Sequence, residues 1–335
     1  MGRSRTLARR SDNGAGGYAF PMTPSPAWEL FRDRGIRVGT ASWTDKSLLE
    51  PGLFYPRGTS SAADRLGFYA ENFPIVEVDA TYYAIPAEQN AKLWVERTPD
   101  DFLFNVKAFA TMTQHSTNAR GLPKDLREGL SEELLDKPRI YPRDLPSEVL
   151  DEAWHRFCRS LEPLRRGGKL GAVLFQFPQW FVISKKNKAY IEECAARLPD
   201  FRVAVEFRHE SWMRERNVEE TLGFLSERDL PYVCVDMPQG FDSSLPPIAT
   251  ATAGDLAMVR FHGRDPKAWR SKSETASERF RYDYSKGELD EWVPKLEELS
   301  GQVRETHVLM NNCYRDFAVR NARELGDMLD LDLPD

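Results

Sequence analysis

This chain of 335 residues has little of what marks the specialised protein classes. Its four cysteines, Cys158, Cys194, Cys234 and Cys313, stand far apart and form no CxxC pair. A disulfide framework and a thiolate metal cluster are therefore not expected, and small buried thiols in a reducing cytoplasm are. No run approaches the roughly 18 consecutive apolar residues that a membrane-spanning helix needs. The opening "MGRSRTLARRSDNGAGGYAF" carries arginines but no apolar centre of the secretory-leader kind, so residues 1–35 are read as a flexible extension. Net charge is −6, which disfavours a broad basic surface for nucleic acid. Neither a dinucleotide-binding glycine motif nor a P-loop occurs, and no internal repeat or shift in composition divides residues 36–330.

What is present is an alternation. Eight short, β-rich, apolar stretches recur: "IRVGTASW" (36–43), "IVEVDATYY" (75–83), "FLFNVKAF" (102–109), "GAVLFQFP" (171–178), "RVAVEFRH" (202–209), "PYVCVDMP" (231–238), "LAMVRFHG" (256–263) and "THVLMNNC" (306–313). Near-continuous apolar runs of this kind suit parallel strands covered on both faces. Amphipathic helical patterns lie between most of them, one opened by Ser61 and Asp64 at capping-box spacing. The pattern predicts an α/β fold, a single (β/α)8 barrel. Two links are irregular. The one after strand three, from Thr111 to Ser147, is long and polar, and the one from strand six to strand seven has no helical pattern.

In barrels of this type the active site lies at the carboxyl ends of the strands. Polar residues collect there. They are Thr40, Ser42 and Trp43, then Glu77, Asp79, Thr81 and Tyr83, then Asn105 and Lys107 with His115 beyond. Gln176, Glu206 with Arg208, Asp236, Arg260 with His262, and Asn311 with Asn312 complete the ring. His209 has the parity opposite to Glu206 and is expected to face a loop or the helical layer.

These stretches resemble the YecE-like family, the domain of unknown function 72. The resemblance rests on "GTASW", "RLGFYAENFPIVEVDATYYAIP", "TPDDFLFNVKAF", "GAVLFQFP", "VEFRHESW", "VCVDMP", "VRFHGR", "YDYSKGEL" and "NNC", in order from about residue 36 to about 325. It implies a TIM barrel and no established reaction. Here Ser42 precedes the tryptophan of "GTASW", where the family often has glycine.

Three chemistries fit the ring. The favoured one is a metal-independent enzyme for a small anionic substrate. Lys107, Arg208 and Arg260 would bind a phosphate or carboxylate, helped by His115, Gln176, Asn312, Trp43 and Tyr83. Glu77, Glu206 or Asp236 would act as base and His262 or His115 as acid. Lys107 is read as a protonated anion binder rather than a Schiff-base lysine, because carboxylates flank it. The second is a metal-dependent isomerase- or endonuclease-like enzyme with Glu206, Asp236 and His262 as ligands. Asn311 and Asn312 in place of a further acid, and three nearby cations, disfavour it. The third is non-catalytic ligand or nucleic-acid binding by stacking on Trp43, Tyr82, Tyr83, Trp212, Trp269 and Tyr284. The long segment after strand three is expected to fold over the mouth and bring His115, and with it Arg120, to the ligand.

Overall fold

In the computed structural model, which describes residues 35–50, 52–270 and 280–330, eight strands make one sheet. They are β1 (Ile36–Ala41), β2 (Ile75–Val78), β3 (Leu103–Lys107), β4 (Leu170–Gln176), β5 (Val203–Glu206), β6 (Val233–Asp236), β7 (Leu256–Phe261) and β8 (Glu305–Met310). Neighbours run β5-β4-β3-β2-β1-β8-β7-β6, all parallel. The last seam is closed by a parallel bridge between Val205 and Tyr232, where the Val205 N–H donates to the Pro231 carbonyl at 2.8 Å. Strand order is thus sequential around a (β/α)8 barrel, as the alternation required.

The strands are shorter than the apolar runs. β2 stops at Val78, and Ala80–Tyr82 forms a tight helical turn, held where the Thr81 hydroxyl donates to the carbonyls of Val78 and Lys107 at 2.9 and 2.6 Å. β1 stops at Ala41 because Ser42 takes a left-handed φ of 82°.

The outer layer comprises α1 (Ala62–Asn72), α2 (Glu88–Glu96), α3 (Ser147–Arg166), α4 (Lys185–Ala196), α5 (Val218–Ser226), α6 (Lys286–Asp290), α7 (Val293–Ser300) and α8 (Phe317–Met328). Ser61 and Asp64 do form a capping box at the start of α1. No helix separates β6 from β7; that link is tied instead by Gln239, whose amide donates to the carbonyls of Met237 and Leu245 at 2.8 and 2.9 Å. No helix among the described residues is long and apolar enough to cross a membrane. The N-terminal extension lies, apart from Gly35, outside the described residues.

Candidate functional site

The alternation of strand residues sends Glu77 (β2), Lys107 (β3), Gln176 (β4), Glu206 (β5) and Arg260 (β7) into the barrel at its C-terminal end. Arg208 and His262, two residues on from Glu206 and Arg260, keep that direction. The charges form a ladder. Arg260 Nη2 lies 2.6 Å from Glu77 Oε1 and its Nη1 lies 2.5 Å from Glu206 Oε2. Arg208 Nε donates to Glu206 Oε1 at 2.5 Å, and its Nη2 donates to Gln176 Oε1 at 3.0 Å. Asn311 donates to His262 Nδ1 at 2.8 Å, leaving the other ring nitrogen for Glu206 Oε1 at 3.2 Å.

Glu77 and Glu206 are wholly enclosed and Arg260 is 1% exposed. Burial alone would raise both acids. It does so for Glu77 against the pull of Arg260 and Lys107. At Glu206 burial is outweighed by Arg208 and Arg260, which hold the carboxyl well below its usual range. Burial, then the charge of Arg208, pushes His262 down to about 3, so its imidazole is neutral at pH 7.

Above the ladder opens a cavity of about 430 Å³. Lys107, Arg208 and Gln176 form its floor, Asp45 and Asp79 part of its wall. Tyr82, Tyr83, His115, Trp180, Trp269 and Phe280 ring it. Arg208 is pinned on three sides: its carbon lies 5.3 Å from the Trp269 ring centre, over the face, while Glu206 and Gln176 take Nε and Nη2. Its Nη1 has no protein acceptor among the described residues.

Lys107 is held differently. Its ammonium sits 4.7 Å over the Tyr82 ring, and among the described residues no carboxylate lies within 4 Å of it. Burial, then Arg260, lower its pKa to about 8, although Glu77, Glu206 and Asp79 pull the other way at longer range. Burial raises Asp79 despite Lys107 and Arg260 nearby. His115 stands edge-on between Tyr82 and Trp180, at 5.3 and 5.7 Å, with Nδ1 2.9 Å from the Thr113 hydroxyl. Burial, with Lys107 and Arg208, brings it down to about 3.

Several residues read as site-lining are elsewhere. Asp236 is level with Phe261 in the β6–β7 register, and Phe261 faces outward onto Tyr284 and Trp292. The Asp236 carboxylate accordingly accepts from Tyr284 Oη, Trp292 Nε1 and Arg264 at 2.7 Å each, away from the cavity. Asn312 turns to α8, donating to Asn321 Oδ1 at 2.7 Å and Tyr282 O at 2.8 Å; Asn311 takes its place. Trp43 leaves the β1 alternation at the Ser42 turn and packs on Trp94 and Phe104. Trp212 lies in the core, stacked 4.1 Å from Phe207. Glu77, Glu206, Arg260 and His262 are brought together but lie beneath the cavity rather than on its surface.

The long segment is not a lid as a whole. It contributes His115, while Arg120 is exposed and outside the cavity lining. Most of the segment packs beside the barrel, clamped by Arg156 of α3 on Asp125. The trio Glu206, Asp236 and His262 does not converge: Asp236 is on the other face, and Glu206 is committed to two guanidiniums. Among the described residues no three His, Cys, Asp or Glu side chains gather as metal ligands. Reading the sequence passes over Asp45, Trp180 and Phe280. Trp180, in "QFPQWF", carried a signal, being an aromatic just past a strand end.

Comparison with known proteins fits this barrel. The family model described as protein of unknown function DUF72 matches residues 37–334. The chain is 33% identical over 300 residues to UPF0759 protein YunF of Bacillus subtilis, covering 89% of this chain and 95% of that one. Among solved structures, it is similar to a DUF72 family protein from Enterococcus faecalis, with a TM-score of 0.71 and 26% identity over 89% of this chain and 97% of that one. A DUF72 family protein from Thermotoga maritima superposes with a TM-score of 0.68 and 32% identity, over 88% and 99% of the two chains. With the family model spanning most of its length, this chain belongs to the DUF72 family, whose function is unknown.

Proposed function

We propose that the protein is a metal-independent enzyme acting on a small molecule that bears a phosphate or carboxylate, at the C-terminal mouth of the barrel. The observation that carries this reading is Arg208. It is immobilised by Glu206, Gln176 and Trp269, yet among the described residues its Nη1 is unclaimed on the floor of the cavity beside Lys107. A fixed guanidinium with an unused N–H is a preformed oxyanion site. Gln176, whose Oε1 takes both arginines, supports a hydrogen bond from its amide nitrogen to the same ligand. Asp79, a cavity-lining carboxyl that burial raises above its usual range, is the group we assign to moving a proton. Glu77, Glu206, Arg260 and His262 are positioning residues: they orient Arg208 and set the field, without touching the ligand. The aromatic rim offers ring faces on which a small ring or chain would pack.

Calorimetric titration with inorganic phosphate tests this, using protein dialysed against chelator. Saturable binding is expected, weakened at least about tenfold (about 1.4 kcal/mol) in Arg208→Met. No binding of phosphate, or binding unchanged in the variant, contradicts an anion site at Arg208. Binding that disappears with chelation contradicts metal independence.

A further inference from the structure

We propose that Lys107 is the nucleophile of this cavity, and that the substrate is an aldehyde or ketone carrying the anionic group, condensed as a Schiff base on Nζ. The inference rests on the anion reading above and gives it a substrate class. A buried lysine elsewhere in the barrel supplies the contrast. Lys169, 3% exposed, donates to the carbonyls of Val95 and Thr98 and to the Thr98 hydroxyl, at 2.8, 2.7 and 3.2 Å. That is how a lysine kept for the fold is satisfied. Among the described residues Lys107 has no such acceptor and no ion pair. It opens on a cavity, over an aromatic face, with a guanidinium below it. The carboxylates that the sequence set around it are turned to Arg260 and Arg208 instead. A recessed ammonium held only over an aromatic face adds little to the fold; as a free amine it is a poised nucleophile.

The chemistry balances with groups on the page. The neutral amine adds to the carbonyl carbon, the N–C bond forms, and the C=O π pair moves to oxygen. A proton passes from nitrogen to that oxygen, giving the carbinolamine. Asp79, in the same cavity and with its protonated form favoured by burial, gives a proton to the hydroxyl, which leaves as water while the nitrogen pair forms C=N. The product is an iminium on Lys107, one water and the Asp79 carboxylate. With a pKa of about 8, roughly a tenth of Lys107 is free amine at pH 7, against well under a thousandth for an exposed lysine.

The test is trapping at pH 7 with sodium cyanoborohydride. Dihydroxyacetone phosphate is the anionic ketone and dihydroxyacetone its uncharged counterpart. Peptide mass spectrometry reads the secondary amine at Lys107 against Lys286, whose side chain is 80% exposed. The expected result is labelling of Lys107 by dihydroxyacetone phosphate at least about tenfold faster than Lys286, suppressed by excess inorganic phosphate. Both Lys107→Met and Lys107→Arg should lose the cavity adduct with Lys286 labelling unchanged, provided their circular dichroism matches that of wild type. Labelling of Lys107 no faster than Lys286 by either ketone overturns the nucleophile. If phosphate binds calorimetrically in that case, the anion site survives without it. Equal, phosphate-insensitive labelling by both ketones overturns the anionic substrate and leaves the nucleophile.

Discussion

The two mouths of the barrel hold similar polar residues in opposite conditions. At the N-terminal mouth His307 joins Asn105 Oδ1 at 3.1 Å and Glu305 at 3.2 Å, and Glu305 lies 3.6 Å from Arg37. Gly171 is there because a Cβ would meet Asn105 Oδ1 at 2.5 Å. Lys169 beside it has three oxygens. At the C-terminal mouth the lower tier is as tightly paired, but its upper tier, Lys107 and Arg208, keeps donors that no described residue takes, facing a cavity. Burial and charge are therefore poor guides to function by themselves. What separates the two ends is whether a buried cation has been given a protein partner.

The comparison is broken most severely at Arg260. Arg260→Met leaves Glu77 without its ion pair and strips Glu206 of one, so a loss of about 3–5 kcal/mol is expected in urea unfolding. A loss under about 1 kcal/mol would mean that the ladder does not hold the barrel. Next in size is Lys169→Met, which strands the carbonyls of Val95 and Thr98 near the C-terminus of α2 and should cost about 1–3 kcal/mol, with phosphate affinity unchanged. A change in affinity would show the two mouths to be coupled. Smaller again is Ser42, on the cavity wall with φ 82°. A β-branched Ser42→Val should lose about 1–2 kcal/mol, and Ser42→Gly should stay within about 0.5 kcal/mol of wild type, since relieved strain offsets the freer unfolded chain. Equal melting temperatures for Val and Gly would remove the strain argument.

The barrel was legible because parallel strands buried on both faces leave unbroken apolar runs, and all eight were countable. Their ends were less so. Tyr83 and Trp43 continue a β pattern in letters, but a tight turn after Asp79 and a left-handed Ser42 end the strands earlier, and parity is lost from there. Where a strand continues straight, as from Glu206 to Arg208 or Arg260 to His262, the direction was readable. Asp236 and Asn312 failed for a related reason: a strand with apolar residues on both faces does not say which face is inward, and only the register with Phe261 settles it for Asp236. That Lys107 would stand apart from its neighbouring carboxylates is a matter of ångströms, and sequence spacing carries none.

The unpartnered state of Lys107 is tested most directly by urea unfolding of Lys107→Met against wild type at pH 7 and pH 10. Its folded pKa of about 8 lies below the unfolded value of about 10.4, so between them the unfolded chain binds more protons and wild-type stability rises with pH. Below about pH 8 the recessed charge weighs fully on the folded state. The variant should therefore be at least as stable as wild type at pH 7, with the gap closing toward pH 10. A variant less stable by about 1 kcal/mol or more at pH 7 would make Lys107 a structural residue like Lys169, and the contrast between the two mouths would fail.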